Sequence, residues 1–543
     1  MEIQMIIKKI TTLNNIAFWL AISFYVLVAY VMRQSGLNPN SLWLDDQWVA
    51  TLIKSESWID ILTIQAPVSV GFLIIIKFFH LIINDPEFSL QIFPFLCGLI
   101  QIPIIAILGK QLTNKYSIGL IMAFFLVFSP EISTYSLRVK SYTLDSLITI
   151  CLILAQVSWF KNNKCFQYNR FCIFSSLALF FSFTSVLVSF ILVNLPVVMN
   201  YIKEKNTKNI ITYTIGYNIF LFLVYYYLLR HQSNPMAKEY WSTEFIKLKE
   251  FKPFIAFITN NFFSVFTNSI HPNLHFFLAL VPIGLIYLLL NKYTRNIGIF
   301  VIAYYFIFLA LASLQIYPMG GVRTDIFSYP VVIIMIGLGF NMVIIHCNEC
   351  LIKLVRRSRN VIAMIQLNNL LKCTDIMLIL AVTLCSTWFI NTRVNDRYYY
   401  VSNEDKKAVY YLNDNLPDNS GLIIYPHAMW AVGYYGRWAT ENIYGYRNNV
   451  GVGHNFDTHI KRSNTLNFST MIDGNIFTNA PNKNIKIVNE YLKDDMNDIY
   501  LLITSPSGKI LNPIISAIDS RNYELEEVIQ FHPHTYIRHY HRN

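Results

Sequence analysis

The feature that most constrains this chain is repetition. Apolar runs of helical length recur from Ile16–Met32 to Ile376–Ile390, and few charges interrupt them. Between these two come Phe93–Leu108, Ile118–Phe128, Leu144–Trp159, Phe171–Met199, Ile210–Leu229, Leu274–Leu290, Ile297–Ile316 and Phe327–Ile345. Most approach the ~20 residues needed to cross a bilayer core. Charged residues make up only 14% of the chain, well below the roughly 25% of soluble domains. The chain therefore reads as a polytopic α-helical membrane protein. Its first run is too long for a signal peptide and lacks a small-residue cleavage site, so it is expected to be retained.

Charge gives these runs a direction. The net charge is +11, yet residues 392–543 hold 15 Lys/Arg against 16 Asp/Glu, so the whole excess lies earlier. A nucleic-acid binder would carry its basic patch on a soluble face, and here the excess fits the positive-inside rule instead. The basic loops Lys110–Lys115, Lys161–Arg170, Lys203–Lys208, Lys292–Arg295 and Cys350–Lys372, with Lys8 and Lys9, are expected on the cytoplasmic side. Two consequences follow. Val68–Ile83, which carries Lys77 and His80, must lie at the outer surface as an interfacial or re-entrant helix. Phe171–Met199, basic on both flanks, must go across and back as two short helices. The expected architecture is about eleven transmembrane helices, with interfacial helices in the first outer loop. Residues 1–391 form the membrane domain and residues 392–543 a small extracytoplasmic α/β domain. The N-terminus is expected to be cytoplasmic, and the membrane the plasma (inner) membrane.

The eight cysteines all precede residue 392, so the tail has no disulfide framework. Cys347-Asn-Glu-Cys350 beside His346 is a single CxxC, too few ligands to assign a zinc site. In the tail, Lys406–Asn415 reads as a helix stopped by Leu416-Pro417. Gly421–Tyr425 reads as a buried parallel strand and Ala428–Tyr435 as a helix. Asp498–Thr504, Leu511–Asp519, Tyr523–Phe531 and Thr535–Tyr540 then read as strand, helix, strand and strand, an alternation that predicts an α/β layer. Gly451-Val-Gly453 lacks the strand-before, helix-after setting of a phosphate loop.

Charges near the mouths of membrane helices are costly unless they face water or a partner, which makes them functional candidates. The acids on the expected outer face are Asp45, Asp46 and Asp145; the bases are Arg138, Lys140 and Arg323, with Lys77 and His80 on the interfacial helix. Arg and Lys hold phosphate head groups, and a carboxylate opposite them can deprotonate a hydroxyl. Each base taken alone is also explained by snorkelling to the head groups; their shared side is what draws them together.

Ser41-Leu-Trp-Leu-Asp-Asp46 resembles the "W-x-D-E" start of the first outer loop in GT-C membrane glycosyltransferases. These polyprenyl-phosphate-sugar enzymes include the protein O-mannosyltransferases and the lipid A aminoarabinose transferases. Ala66-Pro67 with the Lys77 helix resembles their "H-P-P-L-Y" segment. Phe128-Ser-Pro-Glu…Ser136-Leu-Arg-Val-Lys140-Ser-Tyr142-Thr-Leu-Asp145 resembles the segment after the third span, and Tyr317-Pro-Met-Gly-Gly-Val-Arg323 the late "Y-P…G-x-R" loop. The tail, with Gly421-Leu-Ile-Ile-Tyr-Pro426 and Tyr434-Tyr435, is similar to the extracytoplasmic domain of bacterial members. The chain departs in having Asp46 for Glu, Gln65-Ala66 where the histidine stands, and Lys140 for Arg, which keeps charge but loses bidentate phosphate binding.

The resemblance implies inverting transfer of a sugar from a polyprenyl-phosphate donor, amid membrane lipids, to a hydroxyl of a lipid, glycan or protein acceptor at the outer face. Asp45 is expected as general base, with Asp46 orienting Asp45's partner or positioning the acceptor. Lys140, Arg138 and Arg323 are expected to bind the donor phosphate, and Tyr142, Asp145, Lys77 and His80 are candidate substrate contacts. No metal ligands are assigned, and a divalent cation stays open as cofactor. The competing class is a transporter or flippase of a lipid-linked or anionic solute. That class would place ionisable groups near the bilayer midplane.

Overall fold

The computed structural model describes residues 2–37, 39, 41–55, 58, 68–162, 165–201, 208–229, 241–246, 251–357, 375, 377–388, 404–417, 420–425, 428–436, 470–472, 482, 485, 488–489, 497–504, 506 and 508–542. The Gln65-Ala66-Pro67 motif, Gly451 to Gly453 and most of the basic loops 203–208 and 350–372 lie outside these residues. The chain divides into two compact units. The first comprises Met1–Gly36, Phe93–Leu137 and Ser141–Tyr399; the second comprises Leu37–Ile92, Arg138–Lys140 and Tyr400–Asn543.

Helices make the first unit because its sequence offers long apolar runs whose backbone groups must be satisfied within the segment. Seven helices among the described residues are long and apolar enough to cross a membrane: Thr12–Gly36, Pro86–Thr113, Tyr142–Phe160, Lys208–Tyr227, Pro272–Leu290, Arg295–Ser313 and Val322–Lys353. Their outer faces leave large apolar side chains uncovered, Leu20 at 66%, Phe222 at 62% and Phe306 at 72% exposure. Hydrocarbon, not water, suits such faces.

Other expected spans come as shorter helices. Tyr116–Val127 has 12 residues, a length of about 18 Å at the α-helical rise against a hydrocarbon core of ~30 Å. All its residues from Ser117 to Val127 are buried, so its neighbours wrap it on every side. It opens after the left-handed Asn114 (φ 59°) and is followed by Pro130, the first residue of the short helix Pro130–Tyr135. Phe171–Met199 is two helices, Cys165–Phe181 and Ser185–Tyr201, parted at Ser182-Phe-Thr184. Small residues set the closest approaches. A side chain at Gly284 would collide with the Met335 carbonyl, and one at Gly339 with the Leu280 carbonyl. This reciprocal fit holds Leu280–Leu290 against Tyr329–Arg357, as small residues do between membrane helices.

The second unit carries a five-stranded mixed sheet: β1 (Gly421–Ile424), β2 (Thr470–Ile472), β3 (Asp498–Thr504), β4 (Tyr523–His532) and β5 (Thr535–Arg542), in the order β2-β1-β3-β5-β4. β1 pairs in parallel with β2 and β3, whereas β5 is antiparallel to β3 and β4. β1 is buried throughout and β3 nearly so, which is why their sequences read as continuous apolar runs rather than alternation. The helices Asp405–Asn415, Met429–Tyr435 and Gly508–Asp519 bear out the α/β layer expected of the tail. The unit also takes in the helix Leu44–Ser55, which packs on Met429–Tyr435, and the apolar helix Val70–Ile82.

Candidate functional site

The turn that begins Leu44–Ser55 presents both loop acids. The Trp43 carbonyl accepts the Asp46 and Gln47 N–H groups at 2.8 Å each, so Asp45 and Asp46 fall in the first helical turn, where the helix dipole favours negative charge. Tail residues brace this turn. Tyr435 Oη accepts the Leu42 N–H at 2.8 Å, Ser41 Oγ accepts the Lys406 N–H at 3.2 Å, and Gln47 Nε2 donates to Leu42 O at 2.6 Å and to Asp405 Oδ2 at 2.8 Å.

The two acids have different surroundings. Asp46 is fully buried; its Oδ1 accepts the Val139 N–H at 2.9 Å and its Oδ2 stands 3.7 Å from Arg138 Nη1. Asp45 is half-buried. The tripeptide Arg138-Val139-Lys140 thus lies against the acid-bearing turn. The Arg138 guanidinium covers Trp43 at 4.6 Å from the ring centre and the Lys140 ammonium covers Trp48 at 4.4 Å, cation–π contacts that hold both heads in place.

Further cations share this unit. Lys77 Nζ donates to Ile53 O at 3.0 Å and lies 5.7 Å from the Trp58 ring. Lys54 Nζ donates to Tyr434 O at 2.6 Å. His80 Nδ1 pairs with Ser89 Oγ at 2.9 Å. Burial first, then the charges of Lys77 and Lys54, push the His80 pKa below its ordinary 6.5, so its ring is neutral at physiological pH. Glu87 holds Lys406 at 2.6 Å.

Tyr142, Asp145 and Arg323 belong to the first unit. Tyr142 meets Tyr135 edge-on at 5.2 Å. Asp145 is buried, accepts the Ser141 hydroxyl at 3.2 Å, and has Ser182 and Thr184, the break between two helices, beside it. Arg323 covers Trp241 at 5.0 Å. Its loop is tightly pinned: Gly320 (φ 89°) and Val322 (φ 55°) are both left-handed. A β-branched residue there is an outlier that its surroundings must hold. Tyr329 Oη donates to Val322 O at 3.0 Å and Tyr317 Oη to Thr324 O at 2.9 Å.

Two residues of this unit escaped the sequence reading. Asp325 is fully buried and accepts the Gly320 N–H at 2.8 Å; the Gly-Gly pair just before it is the signal that could have found it. Arg33 is also fully buried and donates to Ser133 Oγ at 3.2 Å, Gly98 O at 3.0 Å and Val127 O at 3.4 Å. Its signal was an arginine closing an apolar run.

No family model and no curated protein matches the sequence. Solved structures do. ArnT from Cupriavidus metallidurans bound to undecaprenyl phosphate is 10% identical, with a TM-score of 0.51 over 96% of this chain and 97% of that one. The same protein in the apo state gives 8% identity and a TM-score of 0.50 over the same shares. The chain has the GT-C fold. At such identities the likeness extends to the arrangement of the chain and stops there. Within the GT-C fold the Asp45-Asp46 turn, Arg138 and Lys140 form one braced cluster in the second unit, while Tyr142, Asp145 and Arg323 belong to the first.

Proposed function

We propose that the chain is a membrane glycosyltransferase that moves a sugar from a polyprenyl-phosphate donor to an acceptor hydroxyl at the outer face of the membrane. The observation that carries this reading is the pairing of a half-buried carboxylate, Asp45, with a fully buried one, Asp46, locked by Val139 and Arg138. A catalytic base needs access to its proton and a rigid neighbour to fix its position; this turn supplies both. The fold adds support, since ArnT of that fold was solved with undecaprenyl phosphate bound.

In this reading Asp45 takes the proton of the acceptor hydroxyl. The oxygen then bonds to the anomeric carbon as the carbon–oxygen bond to phosphate breaks, inverting that centre in one displacement. The polyprenyl phosphate leaves with the bonding electrons, and Asp45 gives its proton to water. Asp46 positions the turn. Within the second unit, Lys140 and Arg138 stabilise charge growing on the phosphate, and Lys77 and His80 contact substrate. With the N-terminus cytoplasmic and the 392–543 domain outside, Arg33, Asp145 and Asp325 all fall at outer ends of candidate spans. A transporter would want such charges near the midplane.

A comparison of envelope glycolipids and polysaccharides between a deletion strain and one carrying Asp45→Asn tests the proposal. The same sugar is expected to be missing from both. A normal glycan profile in the Asp45→Asn strain, with the variant present in the membrane, would end it.

A further inference from the structure

A cluster of metal-type ligands stands in the sheet, on three adjacent strands. His539 occupies β5, flanked by Asp498 on β3 and Glu526 on β4. Pairing sets this up. His541 lies directly opposite Asp498, and His539 opposite Tyr500 on one side and Glu527 on the other. The register slips between Leu525 and Glu527, so Glu526 is the extra residue of a bulge, a device that re-aims a side chain. Its carboxylate turns to His539.

Asp498 and Glu526 stand at different nitrogens of the His539 ring. His539 Nε2 is 2.9 Å from Asp498 Oδ1 and its Nδ1 is 3.3 Å from Glu526 Oε2. One ligand atom from each of the three side chains lies within 4.8 Å of the others. Two ligands held about 2.1 Å from one tetrahedral zinc ion stand about 3.4 Å apart, so His539 Nε2 and Asp498 are nearly spaced for an ion, and the exposed Glu526 carboxylate would swing to the same side of the ring to join them. The Tyr500 ring stacks on His539 at 4.3 Å and 7°, which fixes the imidazole plane. His541 Nδ1 adds a fourth donor 2.9 Å from Asp498 Oδ1. Glu526 and His541 are more than half exposed, which leaves an entry path from solvent.

We propose that Asp498, Glu526 and His539, with His541 beside them, form a binding site for a divalent transition-metal ion of the zinc class. One or two imidazoles with two carboxylates make a borderline-hard set that suits Zn²⁺ over Ca²⁺ or Mg²⁺, whose shells are built from oxygen alone. The site stands in the strands that close the sheet, so a bound ion would tie β3, β5 and β4 together. It is separate from the Asp45-Asp46 turn and independent of the function proposed for it.

The test is equilibrium dialysis of the purified full-length protein, without a polyhistidine tag, against Zn²⁺ alone. His539→Gln and Glu526→Gln are compared with the parent chain, and Co²⁺ absorption reports the coordination. About one equivalent is expected in the parent, with affinity falling about tenfold or more in each variant and tetrahedral cobalt bands lost in both. Glu526 is 59% exposed, so Glu526→Gln keeps the test valid should His539→Gln fold poorly. Absence of Zn²⁺ binding by the parent would overturn the proposal, and His539 would then be read as a hydrogen-bonded link between Asp498 and Glu526. Binding unchanged in both variants but lost in His532→Gln/His534→Gln would overturn it equally, by moving the ion to the β4–β5 turn.

Discussion

At the scale of single residues, the neighbouring acids separate by what they touch. Asp46 is spent on the Val139 N–H and Arg138, so Asp46→Asn keeps one acceptor but removes the charge facing a mostly buried guanidinium. A loss of about 1–3 kcal/mol is expected, read as a lower unfolding temperature of the detergent-solubilised protein. Asp405 behaves differently. Burial pushes its carboxyl above the ordinary 3.8, an effect that hydrogen bonds from Thr535, Gln47 and Thr504 only partly offset. Between 3.8 and the raised value the folded state holds more protons than the unfolded one, so stability falls as pH rises through that window. Thermal unfolding followed from about pH 4 to about pH 7 should show this slope in the parent and lose its Asp405 share in Asp405→Asn. Sequence alone exposed Asp45, Asp46, Arg138 and Lys140, because charge beside apolar helices is conspicuous. It did not expose Asp405, Asp325 or Arg33. Asp405 looks like a solvated residue until Thr504 and Thr535 are brought to it from 99 and 130 residues away.

At the scale of elements, hydropathy and charge located the helices well, and the break at Ser182–Thr184 follows from basic flanks on both sides of one long run. Length was less legible. Tyr116–Val127 reads as a span by composition, and the structure gives it only twelve residues, eleven of them buried. β2, Thr470–Ile472, escaped because three residues give no periodicity to read. Bulges are equally silent, and Glu526 owes its direction to one. Helix contact through glycine gives a prediction here. Gly284→Val would drive a side chain into the Met335 carbonyl, and the forced separation of Leu280–Leu290 from Tyr329–Arg357 should cost about 1–3 kcal/mol. A smaller drop in unfolding temperature is expected for Gly216→Val, where nothing lies within 4 Å of the added atom.

At the scale of the whole molecule, the uneven charge and the recurring apolar runs point to a polytopic membrane protein, and the tail's alternation to its α/β layer. Composition does not reveal that residues 37–92 and 138–140 gather into the same compact unit as the tail. That grouping rests on contacts such as Leu42 with Tyr435 and Gln47 with Asp405, which span well over three hundred residues. In the proposed reaction a donor lipid is consumed because Asp45 deprotonates the acceptor. The most direct measurement reconstitutes the purified parent and Asp45→Asn in lipid bilayers carrying polyprenyl-phosphate sugars and acceptor extracted from the host envelope. Mass spectrometry then follows donor loss and release of polyprenyl phosphate. Turnover is expected of the parent and none of Asp45→Asn, with donor still bound by the variant; equal turnover by the two would show that Asp45 is not the base.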